Sequence, residues 1–147
     1  MKYILITPEM GENKGYTINH IADFLENHLD RFGDKNSDIL KAIQYALDPS
    51  KGGFIELCIE NTDIIGAVVV NKTGMDGYIP SNILVYIAIH RDYRGKGFGK
   101  KLMIEAMSKT TGGIALHVES DNPAKFLYEK LGFVNKYLEM RYQPEEI

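Results

Sequence analysis

The sequence predicts an α/β domain whose mixed, mostly antiparallel sheet is flanked by about four helices. Three observations lead to this prediction: two amphipathic helices near the start, a hairpin of apolar strands after them, and then a strand, a glycine-rich loop and a helix in direct succession. At 147 residues the chain is long enough to bury one core and too short for two full-sized domains. We therefore expect residues 1–147 to form a single domain.

A strand and two helices are expected before the hairpin. Residues 2–6 suit a first strand, and apolar positions three and four apart predict a helix over 18–32 that stops at Gly33. A second helix is expected over 38–47, because its apolar positions recur every four residues and Pro49 follows it.

The hairpin lies in the middle of the chain. Apolar and polar residues alternate over 54–60, which predicts a strand with one exposed face. A tight turn at 61–63 leads into an apolar strand over 64–70, and residues 71–80 read as a loop. The two strands are therefore expected to pair in antiparallel fashion.

The second half of the chain alternates strands with helices. Residues 83–89 are uncharged throughout, as expected of a central strand covered on both faces. A glycine-rich stretch over 94–99 then opens into an amphipathic helix that ends near Lys109. Three more elements complete the prediction: a strand over 114–118, a helix over 123–131 and a strand over 136–142.

Basic charge is concentrated in one segment. The net charge is −3 at pH 7 and the pI about 5.8, yet residues 91–109 carry six basic and two acidic side chains. That segment is therefore +4, and the remainder of the chain is −7. A nucleic-acid-binding surface is usually wider and its domain more basic, so a compact anionic ligand is the better match.

Membrane and disulfide-rich proteins are disfavoured. The longest uncharged apolar runs have seven residues, against roughly 20 for a membrane-spanning helix, and the first apolar stretch is too short for a signal peptide. Cys58 is the single cysteine, which excludes an internal disulfide and a cysteine-based metal site and suggests a small buried apolar residue. We expect a cytoplasmic protein with no membrane partner.

The glycine-rich loop differs from two common phosphate-binding loops. A P-loop needs glycine where Arg94 stands and a hydroxyl where Lys101 stands, and the dinucleotide pattern Gly-x-Gly-x-x-Gly needs glycine at Lys100 or Leu102. The loop still suits a diphosphate, because a helix N-terminus offers unpaired N–H groups and partial positive charge. Taken alone, it is also compatible with a turn that carries solvated charges.

Two segments of the second half share their spacing with a known family. Arg94-x-x-Gly97-x-Gly99 follows an apolar strand, and residues 122–133 read Asn-Pro-Ala-Lys-Phe-Leu-Tyr-Glu-Lys-Leu-Gly-Phe. They resemble the acetyl-CoA pyrophosphate loop, Arg/Gln-x-x-Gly-x-Gly/Ala, and the Asn-x-Ala-x-x-x-Tyr-x-x-x-Gly-Phe segment of the GNAT superfamily of N-acetyltransferases. The resemblance is strongest over 82–133, and the order of elements extends it to the whole chain.

The resemblance implies a GNAT-like fold with splayed central strands and acetyl-CoA as co-substrate. The pantetheine arm would lie between strands 83–89 and 114–118 like an additional strand. The chain would then move an acetyl group to a primary amine of a small molecule or peptide by direct attack in a ternary complex. The residues that would bind acetyl-CoA are Ile87, Ala88 and Ile89 through their backbone, Arg94, Gly95, Lys96, Gly97, Phe98, Gly99 and Lys100 in the loop, and Asn122.

Tyr128 is the catalytic residue that the resemblance implies. A phenol stays protonated at neutral pH and can donate a proton to the departing CoA thiolate. The alternative for Tyr128 is an ordinary core side chain, because Ala124, Leu127 and Leu131 share its face of the predicted helix.

The general base is not identified by the resemblance. The family often has a glutamate on the central strand, but residues 83–89 contain no carboxylate. Glu119, His117 and His90 are candidates because they lie near strand ends. The missing carboxylate keeps open a second hypothesis, a non-catalytic acyl-CoA-binding module that serves as a sensor or scaffold.

The partners follow from charge and from the absence of other motifs. The acidic remainder of the chain favours a cationic amine such as a polyamine or amino sugar, and no nucleic-acid partner is expected. Homodimers are common in such families, and the sequence leaves the oligomeric state open. His20 and His28 stand eight residues apart without a second ligand cluster, so we predict no metal site.

Overall fold

The computed structural model describes residues 1–145, which contain five strands and four α-helices. In chain order they are β1 Lys2–Ile6, α1 Ile18–His28, α2 Asn36–Leu47, β2 Gly53–Glu60, β3 Asp63–Lys72, β4 Asn82–Ile89, α3 Phe98–Ser108, β5 Ile114–Leu116 and α4 Ala124–Lys130. Short 3-10 turns at Asp30–Phe32 and Arg91–Tyr93 follow α1 and β4. The chain divides into two compact units, Met1–Leu116 with the sheet and three helices, and His117–Ile147 with α4.

The sheet has the strand order β1-β2-β3-β4-β5, so neighbours in space are also neighbours in sequence. The first three pairs are antiparallel, and β4 pairs with β5 in parallel. The parallel ladder is short and involves only Asn82 to Leu84 on β4. This mixed, mostly antiparallel sheet with four helices confirms the predicted fold class.

Helices cover both faces of the sheet. On one face α1 and α2 pack together, and Ile21, Leu25 and Ile43 form a core with apolar residues of β2 and β3. On the other face α3 approaches closely, because a Cβ at Gly66 of β3 would lie 3.1 Å from the side chain of Leu102. No helix within residues 1–145 is long and apolar enough to cross a bilayer.

β2 is buried on both faces, which corrects the prediction of a half-exposed strand over 54–60. Glu56 and Cys58 are both 0% exposed, because α3, far along the chain, packs over the face expected to meet water. Lys109 at the end of α3 makes an ion pair with the buried carboxylate. Burial raises the pKa of Glu56. Burial alone would lower the pKa of Lys109, but its hydrogen bonds to Glu56 and Glu105 outweigh that effect and raise the pKa.

β4 is covered unequally, which corrects the expectation of two covered faces. Leu84, Tyr86 and Ala88 are buried, whereas the residues between them are half-buried. The buried side chains of β4 lie on the face of the sheet that α1 and α2 cover, while α3, on the other face, packs mainly over β3. One face of β4 therefore stays partly accessible.

α1 ends at His28 instead of continuing to residue 32 as predicted. Asp30 has a φ of +56°, in the left-handed region, so the α-helix cannot continue through it. A 3-10 turn carries the chain on to Phe32, and α2 then begins at Asn36, slightly earlier than expected. The apolar spacing of 18–32 covers two short elements and not one long helix.

The predicted strand over 136–142 is wrong. Within the described residues, the chain after α4 forms no strand, and Tyr137, Leu138, Met140 and Tyr142 are exposed. Alternation of apolar residues indicates a tendency to pair, but a strand forms only where another strand offers its backbone groups.

Candidate acetyl-CoA site

Within the described residues, the last residues of β4 pair with β3 alone. Pairing with β5 ends at Leu84, whereas pairing with β3 continues to Ile89. The N–H of His90 donates to the carbonyl of Ile65 at 2.8 Å, and alternate residues of a strand direct their backbone groups to opposite edges. Ile87 and Ile89 therefore direct their N–H groups away from β3, toward the side on which β5 has stopped pairing.

The loop after β4 enters α3 through two glycines with positive φ. Gly95 has a φ of +75°, and Gly97, at the cap of α3, has a φ of +86°, a conformation that other residues rarely adopt. A Cβ at either position would meet no atom within 4 Å, and Lys96 and Lys100 are exposed nearby. No acidic residue lies in the first turn of α3, and no side chain in the described part of the protein caps it. The first N–H groups of α3 are thus accessible to an anion.

The side chain of Arg94 lies along the end of α1 and not over the start of α3. Its Nε donates to the carbonyl of Ile89 at 3.1 Å, and its Nη1 donates to Oδ2 of Asp30 at 2.7 Å. Its Nη2 donates to the carbonyl of His28. The guanidinium is therefore engaged by the protein itself.

Two histidine rings join α1 to the same loop. The ring centroids of His28 and His90 lie 4.2 Å apart. Nδ1 of His28 accepts from the N–H of Arg91, and Nδ1 of His90 accepts from the N–H of Asp92, both at 3.1 Å. Burial is the largest cause that lowers the pKa of His28, and the neighbouring His90, Arg91 and Arg94 add to it. The neutral ring of His28 is therefore the form that fits this contact.

We expect the protein to lose stability as the pH falls through about 6.5, because of His28. Its pKa is lowered in the folded chain, so between that lowered value and about 6.5 the unfolded chain binds more protons than the folded one. Thermal melts from about pH 8 to about pH 5 should therefore fall more steeply for the wild type than for His28→Gln, which does not titrate. Parallel curves would contradict this linkage.

The second motif forms α4 and its two ends. Oδ1 of Asn122 accepts from the N–H of Ala124 at 2.9 Å. The chain leaves α4 through Gly132, with a φ of +99°, and the N–H of Phe133 donates to the carbonyl of Tyr128 at 3.0 Å. The helix that the sequence predicts over 123–131 is confirmed, with slightly shorter bounds.

Tyr128 is the buried residue of α4, with 8% of its surface exposed. Desolvation raises its pKa to about 12. The phenol therefore keeps its proton throughout the neutral range. That state suits a general acid and suits a core tyrosine equally, so the catalytic role of Tyr128 stays a prediction.

The first unit brings together most of the residues expected to bind acetyl-CoA. They are Ile87, Ala88 and Ile89 at the end of β4, and Arg94, Gly95, Lys96, Gly97, Phe98, Gly99 and Lys100 from the loop into the first turn of α3. Ala88 differs from its two neighbours, since by strand alternation its backbone groups face β3. Asn122 and Tyr128 belong to the second unit.

The three candidate bases lie in different surroundings. His90 directly follows β4 and is partly buried by the rings around it. His117 and Glu119 are exposed residues at the start of the second unit, and Nδ1 of His117 lies 4.0 Å from the carboxylate of Glu139. The choice of base among them stays open to experiment.

Two acidic residues near the site were not singled out from the sequence. Asp30 binds Arg94, and Asp34 accepts from the hydroxyl of Tyr86 on β4 at 2.5 Å. Burial, together with Asp34, raises the pKa of Tyr86. Both carboxylates follow α1, but only Asp30 lay within the predicted helix over 18–32, whereas Asp34 lies just beyond its end. A signal was present in these two aspartates on either side of Gly33, between two amphipathic stretches.

A family model described as the acetyltransferase (GNAT) domain matches residues 52–135, more than half of the chain. The matched region includes β2 to α4, and thus the end of β4, the glycine-rich loop and Tyr128. The chain belongs to the GNAT acetyltransferase family.

Some of the similar proteins are named as N-acetyltransferases. Ribosomal protein bS18-alanine N-acetyltransferase of Haemophilus influenzae is 37% identical over 91 residues, which are 59% of this chain and 59% of that relative's length. The crystal structure of aminoglycoside N-acetyltransferase AAC(6')-Iy with CoA has a TM-score of 0.68 at 15% identity and covers 97% of this chain and 95% of its own. The crystal structure of a GNAT family acetyltransferase of Staphylococcus aureus has a TM-score of 0.63 at 20% identity, and it covers 98% of this chain and 100% of its own. The two structures share the fold.

Proposed function

We propose that this chain transfers the acetyl group of acetyl-CoA to a primary amine of a small molecule or peptide. One observation carries the proposal: outward N–H groups at the end of β4 lead directly into a loop whose glycines leave the start of α3 accessible. The strand end would receive the extended pantetheine arm, and the helix N-terminus the diphosphate. Family membership and the N-acetyltransferase relative support this assignment.

The reaction would proceed by direct attack in a ternary complex. The amine nitrogen attacks the thioester carbonyl carbon, a C–N bond forms, and the C–S bond breaks. An outward N–H near Ile89 would stabilise the oxyanion, and Tyr128 would give its hydroxyl proton to the leaving thiolate. The proton of the amine would pass to a base or to water, and water would return a proton to Tyr128 before the next turnover. Cys58 is fully buried on β2, so a covalent acetyl-cysteine is not expected.

Charge and the relatives suggest which amines to test. The net charge of −7 outside residues 91–109 favours a cationic acceptor. The Haemophilus relative is named for an alanine of a ribosomal protein, and the CoA-bound neighbour for aminoglycosides. The panel should therefore contain a peptide with an N-terminal alanine, a polyamine and an amino sugar.

Release of free CoA thiol from acetyl-CoA, measured with each amine of this panel, tests the proposal. We expect release above the background rate with at least one amine and none with the same peptide after its N-terminus has been acetylated. Tight CoA binding without release for any amine would contradict the enzyme and favour the non-catalytic sensor or scaffold. The absence of a carboxylate from residues 83–89 is the observation that keeps this second function in view.

Substitution of Gly97 tests where the diphosphate binds. Glu at this position would place a carboxylate at the start of α3, and we expect CoA affinity to fall at least about tenfold, or 1.4 kcal/mol. Gly74→Glu is a matched control, because Gly74 has a similar φ of +76° and equally open surroundings in the loop after β3. Calorimetry should show normal CoA binding for the control. Equal affinity of both variants would contradict this placement.

We further propose that residues 1–147 act as a single N-acetyltransferase domain in the cytoplasm. The motif of α4 and the loop of the first unit belong to the same family model, which spans the boundary between the units. A lone buried thiol is consistent with a reducing compartment. Sedimentation with and without CoA would test whether the chain is a homodimer, as the resemblance allows.

A further inference from the structure

Asp30 lies where the end of α1 meets the glycine-rich loop. Its Oδ2 accepts from Nη1 of Arg94 at 2.7 Å, and its Oδ1 lies 3.4 Å from Nη2 of Arg91. The same two arginines also reach the last carbonyls of α1: Arg94 donates to His28 and Arg91 to Asn27. One carboxylate is therefore shared by two arginines of one loop.

The backbone at Asp30 is adapted to this contact. Its φ of +56° lies in the left-handed region, which aspartate tolerates better than most residues. The hydrogen bond from Arg94 is the first cause that lowers the pKa of Asp30, so the side chain is a carboxylate at neutral pH. The charge is thus present when the loop has to bind an anion.

We propose that Asp30 is a positioning residue for acetyl-CoA binding, which holds Arg94 against the end of α1 and so fixes the loop that presents its N–H groups to the diphosphate. This inference rests on the proposed function. Arg94 bonds at once to β4 through the carbonyl of Ile89 and to α1 through Asp30 and His28. The first residue of the Arg94-x-x-Gly97-x-Gly99 motif thereby anchors the loop to two rigid elements.

Removal of the Asp30 carboxylate should lower the fraction of molecules in which the glycine-rich loop is ordered. If the ordered conformation falls from nearly all molecules to about one in ten, the apparent Kd for CoA rises about tenfold. Saturating acetyl-CoA would restore that conformation, so KM should rise while kcat stays close to normal. A residue that contributed only to overall stability would not raise KM while leaving kcat unchanged.

The opposite effect is expected if Asp30 competes with the ligand. In that case the diphosphate would take Arg94 away from the carboxylate, and removal of the charge would strengthen CoA binding. The sign of the change in affinity therefore separates positioning from competition. The positioning role predicts weaker binding only.

The test compares Asp30→Asn, Asp30→Gly and Asp23→Asn by CoA calorimetry, by kcat and KM, and by hydrogen exchange of residues 91–99 without ligand. Asn and Gly both tolerate the positive φ of Asp30, so they remove the charge with little backbone strain. Asp23 is an exposed aspartate on α1 and serves as the matched control. We expect about tenfold weaker CoA binding and faster exchange confined to the loop for both Asp30 variants, and neither for Asp23→Asn.

A double-mutant cycle with Arg94→Gln tests whether Asp30 affects CoA binding through Arg94. If Asp30 acts through Arg94, adding Asp30→Asn to Arg94→Gln should change CoA affinity by less than about twofold. Full additivity, unchanged or tighter CoA binding by Asp30→Asn, or unchanged loop exchange would each overturn the inference. A wild type that binds no CoA would overturn the proposed function, while the exchange comparison would still decide whether Asp30 orders the loop.

Discussion

Tyr128→Phe should lower the turnover number by about 10²–10⁴-fold, the usual contribution of a positioned general acid. The ring that fills the buried site is kept, and only the hydroxyl that would protonate the leaving thiolate is lost. CoA affinity should therefore change little. Turnover with the best amine, CoA calorimetry and the melting temperature should be measured on one preparation.

Tyr137→Phe is the matched control, because Tyr137 lies in the same unit and is exposed. It should retain normal turnover. If Tyr128 is only a core residue, Tyr128→Phe should instead leave turnover almost unchanged. That result would remove Tyr128 from the mechanism without removing the enzyme.

Lys109→Met should destabilise the fold by about 3 kcal/mol, the lower end of the range for breaking a buried ion pair. Glu56 is completely buried and would lose its cation, whereas Lys109 itself is 32% exposed and so partly screened. The second oxygen of the carboxylate, Oε2, already lacks a hydrogen-bond partner among residues 1–145. Urea unfolding at pH 7 measures the loss.

The effect of Lys109→Met should depend on pH in a defined direction. Burial raises the pKa of Glu56, so the folded chain takes up a proton more readily than the unfolded one, and the variant should be least stable at high pH. Replacing Glu56 as well, in Glu56→Leu/Lys109→Met, should restore most of the lost stability, because no charge is left buried. Lys101→Met, an exposed lysine of α3, is the control; an equal loss in that variant would contradict the explanation.

Local patterns were sufficient for the order of the elements from β1 to α4. Apolar periodicity and the turn and terminating residues next to it in the chain predict four parts of the fold. These are the hairpin of β2 and β3, the strand before the glycine-rich loop, α3 and α4. The glycine positions of the candidate site were predictable for the same reason. Gly95 and Gly97 have positive φ values, which glycine adopts without steric cost, so glycine at these positions follows from the local backbone alone.

Features that depend on distant contacts were not predictable. Nothing within 54–60 indicates that α3 will cover Glu56, and nothing within 18–32 indicates that arginines of a later loop will bond to the end of α1. The strand predicted at 136–142 failed in the same way, since its pattern cannot show whether a pairing edge is available. The motif assigns Arg94 to the ligand, which stays a prediction, and it gives no sign of the hydrogen bonds that Arg94 makes within the protein.

The single thiol gives this protein an intrinsic probe of its own unfolding. Cys58 is inaccessible on a doubly covered strand, and burial raises the pKa of its thiol, so the reactive thiolate is scarce in the native state. A thiol reagent should therefore modify the chain only when β2 opens, and the rate of modification reports the free energy of that opening. For the same reason the folded enzyme adds little background to an assay that counts CoA thiols.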